Sequence, residues 1–478
     1  MTLKLRITSL FLSFILILSL CACDLFAPET TAPTSAEEAP FVPTDANELW
    51  NKMNEVMAAQ TGYSEKMESS LTIYYSGFEM VSIIAANGTY DRSDGTLRYY
   101  FDGTITNSSE EMSYSDETKT MEAFCDGKYY LSVKNADYDQ KLCAPMTEEE
   151  YRDMSRSDML TDVDFLDCTR REFAEADGGW SMKFSGYTKK AVHSFLEFIE
   201  LTEEDLGAAV EDMETAVATD AEFRCLSLSV KLFFDVDESS TTKPEFSMSS
   251  SYADFGTAAF DPTLFVPEEF TQVDDLRILE DLPKAMEELA SATEGKFSAD
   301  LVLKTTVEGY GESEANQHSQ VSFGKKNGSI YYDLDMTLDG EKYVISYKNG
   351  LETVQYGGES FTDDISEREA QEFLSNLIDG AEFYASSVTG VEKKGEGVYL
   401  LHIEKVKTDL HASGAEESGI EITGGSQEIT VTFNGDALQS IESTVIMAAV
   451  IDDGGQKVPV SYHIHSVVTV ESATLPTA

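Results

Sequence analysis

The chain has 478 residues, 42% hydrophobic and 10% aromatic, which is material for more than one core and, by length, for two or three domains. Its 87 acidic residues against 34 basic ones give a formal charge of -53. That balance excludes electrostatic nucleic-acid binding, because phosphate contacts need clustered Lys and Arg, and it disfavours adhesion to anionic lipid headgroups.

Lys4 and Arg6 precede a largely apolar, uncharged run over 7–20, the order of elements in a secretory signal. The run is shorter than the roughly 20 apolar residues of a spanning helix, and it ends in Leu20-Cys21-Ala22-Cys23, followed by Asp24. This resembles the lipobox of bacterial lipoproteins, with a branched residue three places before the modified cysteine and a small residue directly before it. Cys23 fits that pattern, whereas Cys21 would put bulky Leu20 in the small-residue slot. The resemblance implies a signal peptide over 1–22 and diacylation of Cys23; two acyl chains anchor stably where one does not. The expected address is the outer face of the cytoplasmic membrane, and Asp24 resembles the retention signal that gives the same address in double-membraned bacteria. Beyond Cys23, residues 24–44 are rich in Pro, Thr, Ala, Ser and Glu without apolar periodicity, so 23–44 reads as the lipidated cysteine and a disordered tether.

The remainder contains the same pattern twice. Leu49, Met53, Val56 and Met57 at helical spacing lead to Gly62, Tyr63 and alternating Met67, Ser69, Leu71 and Ile73; Leu282, Met286 and Leu289 lead to Gly295, Phe297, Leu301, Leu303 and Val307. Thr147 with Glu150, and Ser366 with Glu369, have the spacing of capping boxes, in which a hydroxyl and a Glu three residues on satisfy the first free amides of a helix. Near the ends, Leu226, Leu228, Val230 and Leu232 run into Asp237-Glu238 and Pro244 as Ile441, Ser443, Val445 and Met447 run into Asp452-Asp453 and Pro459. Three matches in one order divide the chain into repeats over 45–270 and 271–478. At the boundary, Asp281 is placed to cap a helix with Pro283 in its first turn.

Each repeat reads as a helix, several alternating strands, a second helix after the capping box, and further strands ending in a long hairpin. Asn87-Gly88, Asp94-Gly95, Asp126-Gly127, Asp339-Gly340, Asn349-Gly350 and Asn434-Gly435 have the composition of turns with positive φ. The expected fold class is therefore α+β, with two tandem repeats, each a curved antiparallel sheet packed on helices. This order, with Tyr252-Ala253-Asp254-Phe255-Gly256 leading to Phe265-Val266-Pro267, resembles the extracytoplasmic lipid and lipoprotein carriers of the LolA and LppX type. The resemblance implies an incomplete barrel around helices and a cavity for acyl chains; the second repeat lacks the Asp-Phe-Gly phrase, and two tandem copies depart from single-domain carriers.

Few residues announce chemistry. After Cys23 is assigned to lipid, Cys125, Cys143, Cys168 and Cys225 remain, and in an exported protein they permit two disulfides in any of three pairings. Cys125 with Cys143 and Cys168 with Cys225 is one arrangement; zinc is disfavoured by the lack of a Cys-x-x-Cys pair. His463 and His465 lie two apart on an expected strand, a geometry open to zinc or copper, but Met248 and Ser250 stand at those places in the first repeat. Asp333, Asp335 and Asp339 resemble a calcium loop whose spacing fails, with Ser346 in place of the final Glu. No Gly-x-Ser-x-Gly, Walker or His-Glu-x-x-His motif occurs. Tyr99-Tyr100-Phe101 and Tyr129-Tyr130 suit the packing of a sheet core. The sequence thus leads to a membrane-anchored, non-enzymatic binding protein for an apolar or lipid-like ligand, with no cofactor; the alternative is an envelope interaction module with filled cores.

Overall fold

The computed structural model describes residues 41–475 apart from internal stretches, of which 155–163, 236–242, 374–384 and 405–419 are the longest. The chain divides into two compact units at Phe270 and Thr271.

In the first, helix α1 (Ala46–Ala58) is capped by the Asp45 carboxylate, which accepts from the amides of Asn47 and Glu48. Strands β1 (Gly62–Tyr75), β2 (Phe78–Asp91), β3 (Leu97–Ser109), β4 (Ser113–Cys125), β5 (Lys128–Lys134) and β6 (Asp139–Pro145) follow as a meander. Helix α2 (Glu148–Met154) precedes β7 (Cys168–Ala176) and β8 (Gly179–Tyr187); helices α3 (Lys189–Phe198) and α4 (Glu203–Leu206) precede β9 (Val210–Asp220), β10 (Cys225–Phe234) and β11 (Glu245–Ala253). These strands form one sheet, in the order β6-β5-β4-β3-β2-β1-β11-β10-β9-β8-β7.

The second unit opens with the short strand β12 (Thr271–Gln272) and helix α5 (Ile278–Ser291), followed by β13 (Glu294–Val307), β14 (Gly311–Lys326), β15 (Ser329–Leu338), β16 (Glu341–Lys348), β17 (Leu351–Tyr356) and β18 (Glu359–Asp364). After them come β19 (Gly390–Gly395), β20 (Val398–Ile403), β21 (Ile420–Asn434), β22 (Ala437–Asp453) and β23 (Gln456–Thr474). Their order is β18-β17-β16-β15-β14-β13-β23-β22-β21-β20-β19. Counted from β1 and from β13, this is the order of the first sheet: the first long strand pairs with the last, and two meanders run outward from that pair.

The fold corrects the α+β expectation. The protein is mostly β, because each strand pairs with its sequence neighbour and most of the chain is spent in two large sheets. A capping box marks where a helix begins but not how long it runs. Both boxes form, Thr147 and Ser366 exchanging hydrogen bonds with Glu150 and Glu369, yet α2 has only 7 residues, so it forms no covering layer. The turn reading holds at Asp126-Gly127, Asp339-Gly340 and Asn349-Gly350, where both residues have positive φ. It fails at Asn87-Gly88, which lies inside β2; there a Cβ on Gly88 would stand 2.9 Å from the Tyr99 hydroxyl. Helix α5 begins a turn before the expected Asp281 cap, and the Asp281 amide already bonds Arg277 O.

Candidate functional site

Cys23 and the expected signal lie outside the described residues; the end of the expected tether packs on the first unit, where Pro43 is buried and Phe41 meets Phe223 at 5.5 Å between ring centroids. Cys125, Cys143, Cys168 and Cys225 are all free thiols, and the register explains why the bridges considered from sequence do not form. Cys125 lies opposite Lys128 and Cys143 opposite Tyr130, so all of β5 stands between them. Two strand spacings are about 10 Å, beyond the roughly 7 Å that a disulfide tolerates between Cα atoms. Strands β8 and β9 likewise separate Cys168 from Cys225. Burial pushes the Cys143, Cys168 and Cys225 thiols up, which keeps them protonated core groups. Cys143 packs in a cluster with Met121, Ala123, Tyr130 and Phe270.

His463 and His465 lie on the outer side of β23. His465 Nδ1 is 3.1 Å from Thr444 Oγ1, and His463 is exposed opposite Lys304. No sequence signal marks the acidic partners of other histidines: His318 meets Asp300 at 2.7 Å, and His402 lies between Glu392 at 3.0 Å and Glu428 at 3.4 Å. Among the described residues no group of three or more His, Cys, Asp or Glu side chains is arranged to hold a metal. The Asp339 carboxylate accepts the Asn316 amide at 2.7 Å, the role of a hairpin turn.

The inner face of the first sheet, on which α1 and α3 pack, is filled. Trp50 of α1 meets Phe184 at 5.6 Å, Phe195 of α3 meets Phe246 at 5.9 Å, and the Cys225 amide reaches Met57 Sδ at 3.3 Å. Met67, Leu71, Ile84 and Ile105 are all buried there. Two polar features interrupt this core. Asp116, Thr118, Thr120 and Glu122 take four successive inward positions on β4, none more than 9% exposed, and the Thr118 and Thr120 hydroxyls have no hydrogen-bond partner among the described residues. Glu65, the one carboxylate on the inward side of β1, keeps limited solvent contact as a residue, but its carboxyl group is deeply set. Burial raises its pKa, against the hydrogen bonds of Ser250 and Tyr252.

The second sheet differs along its central pair. Alternation puts Leu301, Leu303 and Val307 of β13 on the same side as buried Phe297, and the register sets Leu303 opposite Ala315 on β14 and Ile464 on β23. Ile464 in turn faces Val445. Leu301, Leu303, Val307, Ala315, Val445, Tyr462 and Ile464 are all half-buried, while Met447, Ala449, Ile429 and Leu401 beside them are buried. The corresponding pair of first and last strands in the first unit, Leu71 with Phe246, is closed. The candidate site is therefore an apolar strip along β13 and β23, bounded by closed core.

No protein-family profile and no curated protein sequence matches the chain. Solved structures with some likeness include a DUF1329 family protein from Desulfovibrio piger, at 13% identity over 43% of this chain and 95% of that one with a TM-score of 0.18. Others are a putative AttH from Nitrosomonas europaea, at 7% identity over 86% and 92% with a TM-score of 0.14, and transferrin binding protein B from Haemophilus parasuis, at 7% over 86% and 76% with a TM-score of 0.16. At such scores these likenesses define no shared arrangement of the whole chain, and they carry no argument about what it does.

Proposed function

We propose that the protein is an exported lipoprotein, anchored through Cys23 to the outer face of the cytoplasmic membrane, and that it is a non-enzymatic binding protein whose second unit takes an apolar, acyl-chain-like ligand along β13 and β23. The carrying observation is the half-buried Leu303 and Ile464 pair on the central strands of the second sheet, whereas Leu71 and Phe246 on the central strands of the first are buried. An apolar strip bordered by packed side chains gains about 25 cal/mol for each Å² that a ligand removes from water, and among the described residues no ionised group on the strip opposes an aliphatic chain. The filled interior of the first unit favours a different task for that half, a scaffold or interaction module within the envelope.

The test is uptake of a fluorescent fatty acid by the Cys23→Ser protein, with Leu303→Asp as comparison. Saturable binding lost in Leu303→Asp, at an unchanged melting temperature, supports the reading. Absence of uptake, or equal uptake by both proteins, removes it.

A further inference from the structure

The last strand of the second sheet, β18, is exposed at all six positions, whereas the edge strands β7 and β19 each bury part of their length. Along one row of the inner face, buried Leu334 is followed by half-buried Ile345 and Val354 and then by Phe361, which is 55% exposed. In the next row Tyr343 and Tyr356 stack with centroids 4.4 Å apart. An apolar row that runs out to an unpaired strand is a template for another strand, which proteins ordinarily cover or blunt. The first unit does cover its equivalent edge. Phe265 and Phe270 pack edge-on against Tyr130 of β5, and the Glu269 carboxylate pairs with Lys141 of β6. Among the described residues no strand pairs with the outer edge of β18.

We propose that the β18 edge is a docking surface for an extended, basic segment of a partner protein, taken up by strand addition. The charge of the surface selects the occupant. By alternation Glu341, Glu352, Glu359 and Asp363 lie on the same face as Phe361, and no Lys or Arg of β16, β17 or β18 shares it, since Lys342 and Lys348 fall on the opposite side. A second copy of a chain carrying -53 would bring like charge to this edge. A segment with Lys or Arg at alternate positions instead lays aliphatic stems and cationic heads over Phe361 and Tyr356, with the carboxylates at its rim, while its backbone continues the hydrogen-bond ladder.

The experiment uses the Cys23→Ser protein and fluorescein-labelled peptides of alternating Lys and Val, with an alternating Glu and Val peptide and a backbone N-methylated Lys and Val peptide as comparisons, read by fluorescence anisotropy. The expected result is binding of the Lys and Val peptide alone. Phe361→Glu separates docking from bulk attraction: it adds a carboxylate to an exposed position, so diffuse charge attraction would strengthen, whereas strand docking weakens by at least about tenfold, or ~1.4 kcal/mol. A Glu359→Lys, Asp363→Lys double variant shifts preference to the Glu and Val peptide. Equal binding of the N-methylated peptide, unchanged or tighter binding by Phe361→Glu, or a dimer of the protein that Phe361→Glu abolishes would overturn the proposal, the last in favour of a second copy.

Discussion

Phe195 meets Phe246 edge-on, with ring centroids 5.9 Å apart and planes at 71°, and this contact closes the inner face of the first unit at the end of its central strand pair. Phe195 is fully buried, with Ala191, Val192 and Leu196 of α3 beside it. Removing a ring from such a site forfeits its transfer energy and leaves a cavity, so Phe195→Ala is expected to destabilise the first unit by about 3–5 kcal/mol. Urea denaturation followed by tryptophan fluorescence reads the first unit selectively, because Trp50 and Trp180 both lie in it. An unchanged transition would mean that α3 is not a structural lid.

The polar row of β4 gives an opposite expectation. Burying a hydroxyl without a partner costs about 1–3 kcal/mol, and replacing it by an apolar group of the same shape removes that cost. Thr118→Val and Thr120→Val should therefore leave stability unchanged or raise it by about 1 kcal/mol each. A loss of stability would show that these hydroxyls are satisfied in solution.

The anchor makes an independent prediction. Cys23→Ser is expected to abolish metabolic labelling with palmitate and to release the protein to the medium or periplasm, since under the proposed reading the chains on a diacylated Cys23 supply the membrane affinity. Continued labelling of the variant would refute the assignment of Cys23.

What could be read from the residues alone was local. Capping boxes at Thr147 and Ser366 and the turns at Asp126-Gly127, Asp339-Gly340 and Asn349-Gly350 are specified within a few residues, and they form as read. Asn87-Gly88 has the same composition but a different cause, because its glycine makes room for Tyr99 on the neighbouring strand. The residues overstate the share of helix because start signals carry no length. The candidate strip was illegible for a related reason: Leu301 and Leu303 alternate just as Met67 and Leu71 do, and only the elements packed above them decide whether they are covered. Likewise nothing near Glu65 in sequence indicates Ser250 or Tyr252, whose hydroxyls reach it through the β1–β11 pairing.

Glu65 sets the expected pH dependence of the first unit. Its carboxyl pKa is raised by burial, more than the Ser250 and Tyr252 hydrogen bonds lower it. The stability it contributes is full below the unfolded value of about 4.3 and is lost as pH rises through the higher folded value. Glu65→Gln keeps a neutral group of similar shape, so its stability relative to the parent should increase from about pH 4 upward. Melting temperatures of both proteins across acid to neutral pH check this; a difference that stays constant or shrinks as pH rises would show that Glu65 ionises freely in the fold.

Asp275 gives the second unit the opposite sign. Burial works to raise its pKa, but the hydrogen bonds and charge of Arg277, with Lys393 behind them, outweigh it and hold the carboxyl below the usual range. Asp275 Oδ1 accepts from the Arg277 amide and Nε at 3.1 and 3.0 Å, and Oδ2 from Nη2 at 2.8 Å, while neighbouring Asp274 accepts the Lys393 amide at 2.8 Å. Together they fasten the approach to α5 onto β19. A depressed pKa contributes stability that is complete above the unfolded value of about 3.9 and fades as pH falls through the folded one. Asp275→Asn should cost about 1–2 kcal/mol at neutral pH, the lower part of the range for charged hydrogen bonds, because the Arg277 side chain remains 41% exposed and screened. The difference from the parent should narrow below pH ~4. A gap that persists in acid would mean that packing of the Asp275 side chain, and not its charge, holds α5 in place.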